Sequence, residues 1–168
     1  MSKFTIGIDF GTMSARALVV EVESGNELAV AEYNYPHAVM DTFFYDEETK
    51  LPEGWALQHP QDYVDALRTT VPETIKKSGV SVENIIGVGV DFTSCTMMPV
   101  DEHFIPLCFD EKYKNEPHAY VKLWKHHAAQ FEADKISKTA KENGYNTLLQ
   151  RFGGRVSSEY LLPKYGRY

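Results

Sequence analysis

Cysteine and long hydrophobic runs are scarce in this chain of 168 residues, which contains only Cys95 and Cys108. Two cysteines in a chain of this length do not make a disulfide framework, so we expect reduced thiols and a cytoplasmic protein. No apolar run approaches the roughly 20 residues that span a bilayer, so we expect no membrane partner. The N-terminal residues lead directly into a predicted strand, which argues against a secretory signal.

Basic charge is scarce as well. The chain has 17 Lys and Arg against 24 Asp and Glu, a formal net charge of −7. Its densest basic stretch, residues 112–125, is interleaved with Glu116 and His118 and is typical of a solvated helix face. A nucleic-acid partner is therefore not expected. The G-x-G-x-x-G and G-x-x-x-x-G-K-[ST] motifs are both missing, which argues against Rossmann and Walker nucleotide sites.

The apolar pattern predicts an α/β domain that begins with three strands, at residues 4–10, 15–22 and 27–35. Residues 37–58 have no clear period but contain several aromatics, and we expect an ordered, functional loop or insertion there. Pro60 suits the first turn of a helix. That helix should present Tyr63, Val64, Leu67 and Val71 on one face, and Pro72 should kink or interrupt it.

The second half of the chain predicts two further strands and two helices. Residues 85–92 form a nearly continuous apolar run, which indicates a strand buried on both faces, and residues 96–100 indicate a shorter one. A helix is predicted over residues 118–143 and ends before Gly144. A short helix should start at residues 157–159 and be stopped early by Pro163 and Gly166.

Residues 7–16 contain the first candidate site, a phosphate-binding turn between two strands. An acid at the end of an apolar strand, Asp9, suits Mg²⁺ held partly through water, although Asp also commonly caps its own turn. Gly11 permits a turn whose amides converge on an anion, and Thr12 and Ser14 add hydroxyls. Arg16 shares a strand face with Ser14 and could clamp a phosphate, or it could form an ordinary surface ion pair.

Two weaker candidate sites follow. Thr93, Ser94, Cys95 and Thr96 come directly after the strand at 85–92. Their hydrogen-bonding side chains either line a polyol pocket or satisfy a local turn. Residues 124–127 place Trp124 beside two histidines, which point apart on a helix and do not suit one metal ion. There we expect a core tryptophan with partly exposed histidines, or the rim of a sugar site.

Residues 7–16 resemble the first phosphate motif of the FGGY carbohydrate kinases, which share a superfamily with actin and the heat-shock chaperone ATPases. Residues 89–96, 123–129 and 152–159, together with the aromatic segment 37–58, resemble the member that phosphorylates L-ribulose at O5 with MgATP in arabinose breakdown. The resemblance covers nearly the whole chain. The Arg-Glu pair that glycerol kinases carry in the second stretch is absent, which argues against glycerol as the substrate.

The resemblance implies a ribonuclease-H-like α/β fold of the actin-like ATPase type, with a mixed sheet flanked by helices. Because members reach about 500 residues, well beyond one ordinary domain, residues 1–168 would be a partial N-terminal kinase domain. The C-terminal domain, the general-base aspartate and the adenosine site would lie outside this chain, so no catalytic residue is expected within it. The severed domain should expose apolar surface, which predicts self-association or insolubility.

The resemblance also assigns roles to individual residues. Asp9 would orient the metal ion and Glu159 would contact the sugar. The phosphate side of ATP would meet Gly11, Thr12, Met13, Ser14 and Arg16, and the sugar would also meet Ser94, Cys95 and Thr96. The parent protein is expected to form a homodimer. Open alternatives are a kinase for xylulose or D-ribulose, a non-catalytic sugar-binding or regulatory module, and a chaperone-like or actin-like ATPase.

Overall fold

A computed structural model describes residues 2–167 as two compact units. The first unit consists of the residues up to 39 together with residues 59–93, and the second of residues 40–58 together with the residues from 94 onward. The chain therefore leaves the first unit after the opening strands, returns to it, and leaves it again. None of the helices within residues 2–167 has both the length and the apolar character needed to cross a membrane.

A four-stranded mixed sheet forms the centre of the first unit. Its strands are β1 (Phe4–Phe10), β2 (Ser14–Glu21), β3 (Glu27–Asn34) and β5 (Ile85–Phe92), in the order β3-β2-β1-β5. The first three form an antiparallel meander, and β5 pairs in parallel with β1. These four strands confirm the predictions from the apolar pattern to within about one residue at each end.

One face of this sheet is covered by helix α1 (Pro60–Ser78). The sheet contributes Ile6 and Ile8 from β1 and Ala17 and Val19 from β2, all buried. The helix buries small and polar residues, at positions 62, 66, 70 and 74. The predicted apolar face is wrong at Leu67, which is 39% exposed. Fully buried alanines on the sheet let the helix approach closely, and close approach selects small side chains.

Helix α1 is also continuous through Pro72, contrary to the prediction that this proline would interrupt it. Pro72 lies on the exposed side of the helix. The buried turns on either side are fixed independently, because the hydroxyl of Thr70 donates to the Ala66 carbonyl at 2.8 Å and that of Thr74 donates to the Ala17 carbonyl at 2.9 Å. A bond within the helix before Pro72 and a tertiary bond to β2 after it thus outweigh the one hydrogen bond that proline removes.

Strand β5 lies at the edge of the sheet and is not buried on both faces as predicted. Val88, Val90 and Phe92 share the face on which Ile6 and Ile8 are buried, yet they are 56–65% exposed. Helix α1 packs on β2 and β3, and no described element of the first unit covers this part of β5. The prediction of exposed apolar surface is confirmed here.

The core of the second unit is built largely from the segment 40–58, which lies within the predicted ordered loop or insertion at 37–58. Five of its buried apolar residues pack with three from the later chain, namely Met40, Phe44, Leu51, Trp55, Leu57, Cys108, Ala119 and Tyr120. Strand β4 (Leu57–Gln58) pairs antiparallel with β6 (Val121–Lys122). The predicted strand at 96–100 is wrong, because only isolated bridges form there, at Met97 and Val100.

Three helices complete the second unit: α2 (Gln130–Glu142), α3 (Asn146–Gln150) and α4 (Leu161–Gly166). The helix predicted from residue 118 begins twelve residues later, since residues 117–119 form a 3₁₀ turn and 121–122 pair as β6. Pro163 does not stop α4, contrary to prediction, because it occupies the first helical turn, where its missing N–H needs no intrahelical partner.

Candidate functional site

A tight turn between β1 and β2 forms the first candidate site. The Gly11 amide donates to the Ser14 carbonyl at 2.9 Å, and a Cβ at Gly11 would lie 3.0 Å from that same oxygen. A larger residue would therefore push the turn open. The Gly11 N–H is already used inside the turn, so it does not take part in the predicted convergence of amides on an anion.

The rest of this turn is anchored to the end of β3. The Met13 carbonyl accepts a hydrogen bond from the Tyr35 amide at 2.9 Å, while the Met13 side chain is 54% exposed. Thr12 lies half-buried beside it. The backbone at the tip of the turn is thus held in place without a side-chain anchor from Met13.

Charged side chains gather on the sheet face opposite helix α1. Asp9 pairs in register with Arg16 on β2 and with Asp91 on β5, and residues directly opposite each other in a sheet share a face. Asp9 is exposed. The structure thus brings the predicted metal-orienting acid and the predicted phosphate clamp to the same surface.

Glu32 on β3 is a member of this surface that sequence reasoning missed. Its Oε1 accepts from the Ser14 hydroxyl at 2.8 Å and from Nε and Nη2 of Arg16, each at 3.2 Å. These donors hold the pKa of Glu32 below its ordinary value, the Ser14 bond most strongly. The signal available in the sequence was the hairpin register, which sets Arg16 opposite Glu32.

The second candidate site is the turn at residues 94–96 in the second unit. Cys95 takes a left-handed backbone conformation with φ of 60°, and the Ser94 hydroxyl lies 3.6 Å from its sulfur. The Cys95 carbonyl accepts a hydrogen bond from the ammonium of Lys164 at 3.0 Å. A non-glycine residue in this conformation persists only where its surroundings hold it.

Glu159 lies in the same unit and is tied to the stretch at 123–129. Its carboxylate is 3.5 Å from Nε2 of His127, whose Nδ1 is 3.2 Å from the hydroxyl of the buried Ser158. Two of the motif stretches singled out in the sequence therefore meet through one imidazole.

Three basic residues are buried in the second unit, and no pattern in the sequence indicates their burial. Lys164, Lys122 and His126 are fully buried. Burial lowers the pKa of Lys164 to about 8, that of Lys122 to about 7 and that of His126 to about 3. The prediction of a core Trp124 with exposed histidines is wrong at two residues, because Trp124 is 40% exposed and His126 is buried, with Nδ1 accepting from the Ala56 amide at 3.1 Å.

Structural comparison identifies the fold of the chain. The crystal structure of a xyloylose (xylulose) kinase from Brucella ovis matches 96% of this chain and 28% of its own, with a TM-score of 0.69 and 18% sequence identity. The fold is the actin-like ATPase fold of the FGGY-type sugar kinases, present here in part, as predicted from the resemblance.

Sequence comparison narrows the relationship. The chain is 49% identical over 163 residues to the ribulokinase of Halalkalibacterium halodurans and 48% identical over 164 residues to that of Shouchella clausii, alignments that cover 97% and 98% of this chain. The predicted resemblance is confirmed: the chain is a relative of the ribulokinases. It spans about three tenths of their length, 29% in each case. No family model matches the chain.

Proposed function

We propose that the natural protein containing this chain transfers the γ-phosphoryl group of ATP to a ketopentose, L-ribulose at O5, in arabinose breakdown. The observation that carries the proposal is the sheet face at the β1–β2 turn, where Asp9, Ser14 and Arg16 lie together. The similarity to ribulokinases supports the choice of sugar. Residues 1–168 then form a partial N-terminal domain of a two-domain kinase, with the general-base aspartate beyond them.

The nucleotide side of the site is assigned to the first unit. Asp9, an exposed carboxylate at the end of a strand, fits a Mg²⁺ ion that keeps most of its waters. That ion, when bound, neutralises charge on the transferring phosphoryl group. Gly11, Thr12 and Met13 form the turn against which the phosphates would lie, and the absence of a side chain at Gly11 keeps that turn tight.

Ser14 and Arg16 already show the required donor chemistry. Both donate to a single carboxylate oxygen of Glu32, so the pair recognises an anionic oxygen at this surface. We propose that a phosphate oxygen replaces the Glu32 oxygen when ATP binds. The exchange is inexpensive, because the pair is about half exposed and ion pairs at a solvent-exposed surface contribute little to stability.

The sugar side is assigned to the second unit. Ser94 and Thr96 carry hydroxyls, Cys95 shapes the turn between them, and Glu159 supplies a carboxylate, all of which suit a polyol. A site built to bind sugar hydroxyls discriminates strongly, because an analogue lacking one hydroxyl leaves a buried polar group unpaired.

The test is a coupled ADP-release assay on the natural gene product, with L-ribulose, D-ribulose, xylulose and glycerol offered separately. The highest kcat/KM is expected for L-ribulose. A preference for xylulose or glycerol would overturn the sugar assignment and leave the kinase assignment standing, whereas no sugar-dependent ADP release would overturn both. The 168-residue chain alone should not phosphorylate L-ribulose, and turnover by it would show that no further domain is needed.

A non-catalytic sugar-binding module is the second candidate, and the Glu32 contacts favour it, since they occupy the phosphate donors. Calorimetry of the natural protein with ATP separates the two. A kinase requires Glu32→Gln to leave ATP affinity unchanged or tighter and Arg16→Met to weaken it at least tenfold. Sugar binding with no measurable nucleotide binding would support the module. We further propose that the natural protein is cytoplasmic and forms a homodimer. Sedimentation equilibrium of the natural protein tests the oligomeric state.

A further inference from the structure

Lys164 is buried in α4, and all of its ammonium protons point at backbone oxygens. Its Nζ donates to the carbonyls of Leu123 at 2.7 Å, of Trp124 at 3.0 Å and of Cys95 at 3.0 Å. An ammonium group has three protons, so these three bonds satisfy it fully. The bonds connect the turn at 94–96 to the stretch at 123–124 and to α4.

We propose that Lys164 is a positioning residue for the sugar site, which holds the turn at 94–96 in the conformation that presents the Ser94 and Thr96 side chains. The inference rests on the proposed function, because it takes this turn to contact the sugar. No role in this reaction follows for Lys164 from the motifs alone, since it lies outside the stretches at 89–96, 123–129 and 152–159.

The backbone conformation of Cys95 explains why the turn at 94–96 needs the three bonds from Lys164, which together we call the clamp. A left-handed conformation is unfavourable for a non-glycine residue, and Cys95 adopts it with φ of 60°. The Lys164 bond to the Cys95 carbonyl opposes relaxation of the turn, and a bond with a charged donor is roughly twice as strong as one between neutral groups. The bond from Lys164 therefore helps to hold the strained residue.

The protonated form of Lys164 is also favoured by residues of the predicted sugar site. Burial works against the charge, whereas Cys95 and the carboxylate of Glu159 both favour it. Glu159 thus takes part in the same electrostatic environment as the turn. Both parts of the predicted sugar site therefore favour the charge of this one buried ammonium.

Hydrogen exchange on the 168-residue chain tests the clamp without any activity. In Lys164→Met, amide exchange in the peptide 93–98 is expected to accelerate at least tenfold relative to peptides of the first unit. Lys164→Arg, which keeps a cationic donor, should recover much of the protection. Lys122→Met is the matched control, since it removes another buried ammonium of the same unit, one that donates to the His118 carbonyl at 3.4 Å.

Steady-state kinetics of the natural protein test the positioning role. Lys164→Met should raise KM for L-ribulose at least tenfold and change KM for ATP less than twofold, while Lys122→Met changes neither by more than twofold. If Lys164→Met fails to fold, Cys95→Val replaces it, because a β-branched residue resists the left-handed conformation. Cys95→Val should raise the same KM and leave that for ATP alone.

The exchange and kinetic experiments distinguish failure of the positioning role of Lys164 from failure of the proposed kinase function. Exchange in 93–98 that does not change, or a KM for sugar that changes no more than the KM for ATP, overturns the positioning role. If the wild-type protein shows no sugar-dependent ADP release, the proposed function fails, and the exchange experiment still decides whether Lys164 holds the turn.

Discussion

Replacing Lys122 by Met should stabilise the chain at neutral and acidic pH. The lysine is fully buried, and burial lowers its pKa from 10.5 to about 7. Each pKa unit corresponds to about 1.4 kcal/mol. The difference between the two pKa values therefore amounts to roughly 5 kcal/mol, which is the cost of keeping Lys122 charged in the folded state. Relaxation of the surrounding protein and penetration of water lower this cost to about 2 kcal/mol. Met fills a similar apolar volume and forfeits about 1 kcal/mol for the hydrogen bond to the His118 carbonyl.

The sign of the effect depends on pH. Between about pH 7 and 10.5 the unfolded chain holds a proton on Lys122 that the folded chain has released, so the free energy of unfolding rises with pH in this window. Below pH 7 the wild type carries the full penalty, and Lys122→Met should be more stable by about 1 kcal/mol. Above pH 10.5 the penalty is gone, and the variant should be less stable by the lost hydrogen bond.

Urea unfolding of both proteins at pH 6, 8 and 10.5, followed by circular dichroism, measures the difference. Titrating groups that do not interact with Lys122 contribute equally to both proteins and cancel, whereas the charge of Lys164 helps to lower the pKa of Lys122 and is part of the measured effect. A difference that stays constant across this range would refute the titration of Lys122 in this window. A variant less stable at pH 6 would show that the contacts of the lysine outweigh the cost of burying its charge.

Three further changes test the packing of the two units. Thr74→Val removes the buried hydroxyl that donates to the Ala17 carbonyl. This change should lower the free energy of unfolding by about 1–3 kcal/mol in urea titrations. An unchanged free energy would mean that this bond does not anchor α1. Leu57→Ala empties a fully buried core position and should cost 2–5 kcal/mol by the same assay, whereas a loss below 1 kcal/mol would contradict its place in the core of the second unit. Val90→Lys, on the exposed apolar face of β5, should reduce self-association of the chain in light scattering without lowering its thermal midpoint; unchanged association would exclude this face as the contact.

The first unit was largely predictable because its order is local. The strands at 4–10 and 27–34 alternate in burial, and their turns contain ordinary turn residues. Hydrophobic periodicity and turn residues are therefore enough to predict these strands. Arg16 and Ser14 could be placed on one face for the same reason. Glu32 was missed because its role comes from cross-strand register, which must be worked out after the strands are found.

The second unit was less predictable because its order is long-range. Segment 40–58 has no period, and its aromatic residues are buried by partners some 60 residues later, at 108–120. Residues 118–129 look helical by spacing, yet strand pairing at 121–122 and the burial of His126 override that pattern. Lys164 reads as a surface lysine in any window, and only the fold brings three carbonyls to its ammonium.

The division of the chain between the units has a consequence for its synthesis on the ribosome. Residues 40–58 emerge early, but Phe44, Trp55 and Leu57 gain their core partners only when Tyr120 and its neighbours have been made. At roughly 5–20 residues per second, this segment waits several seconds or longer with its apolar side chains uncovered. A nascent chain arrested near residue 100 should therefore hold a folded meander beside an exposed aromatic loop, the form of the protein most in need of a chaperone.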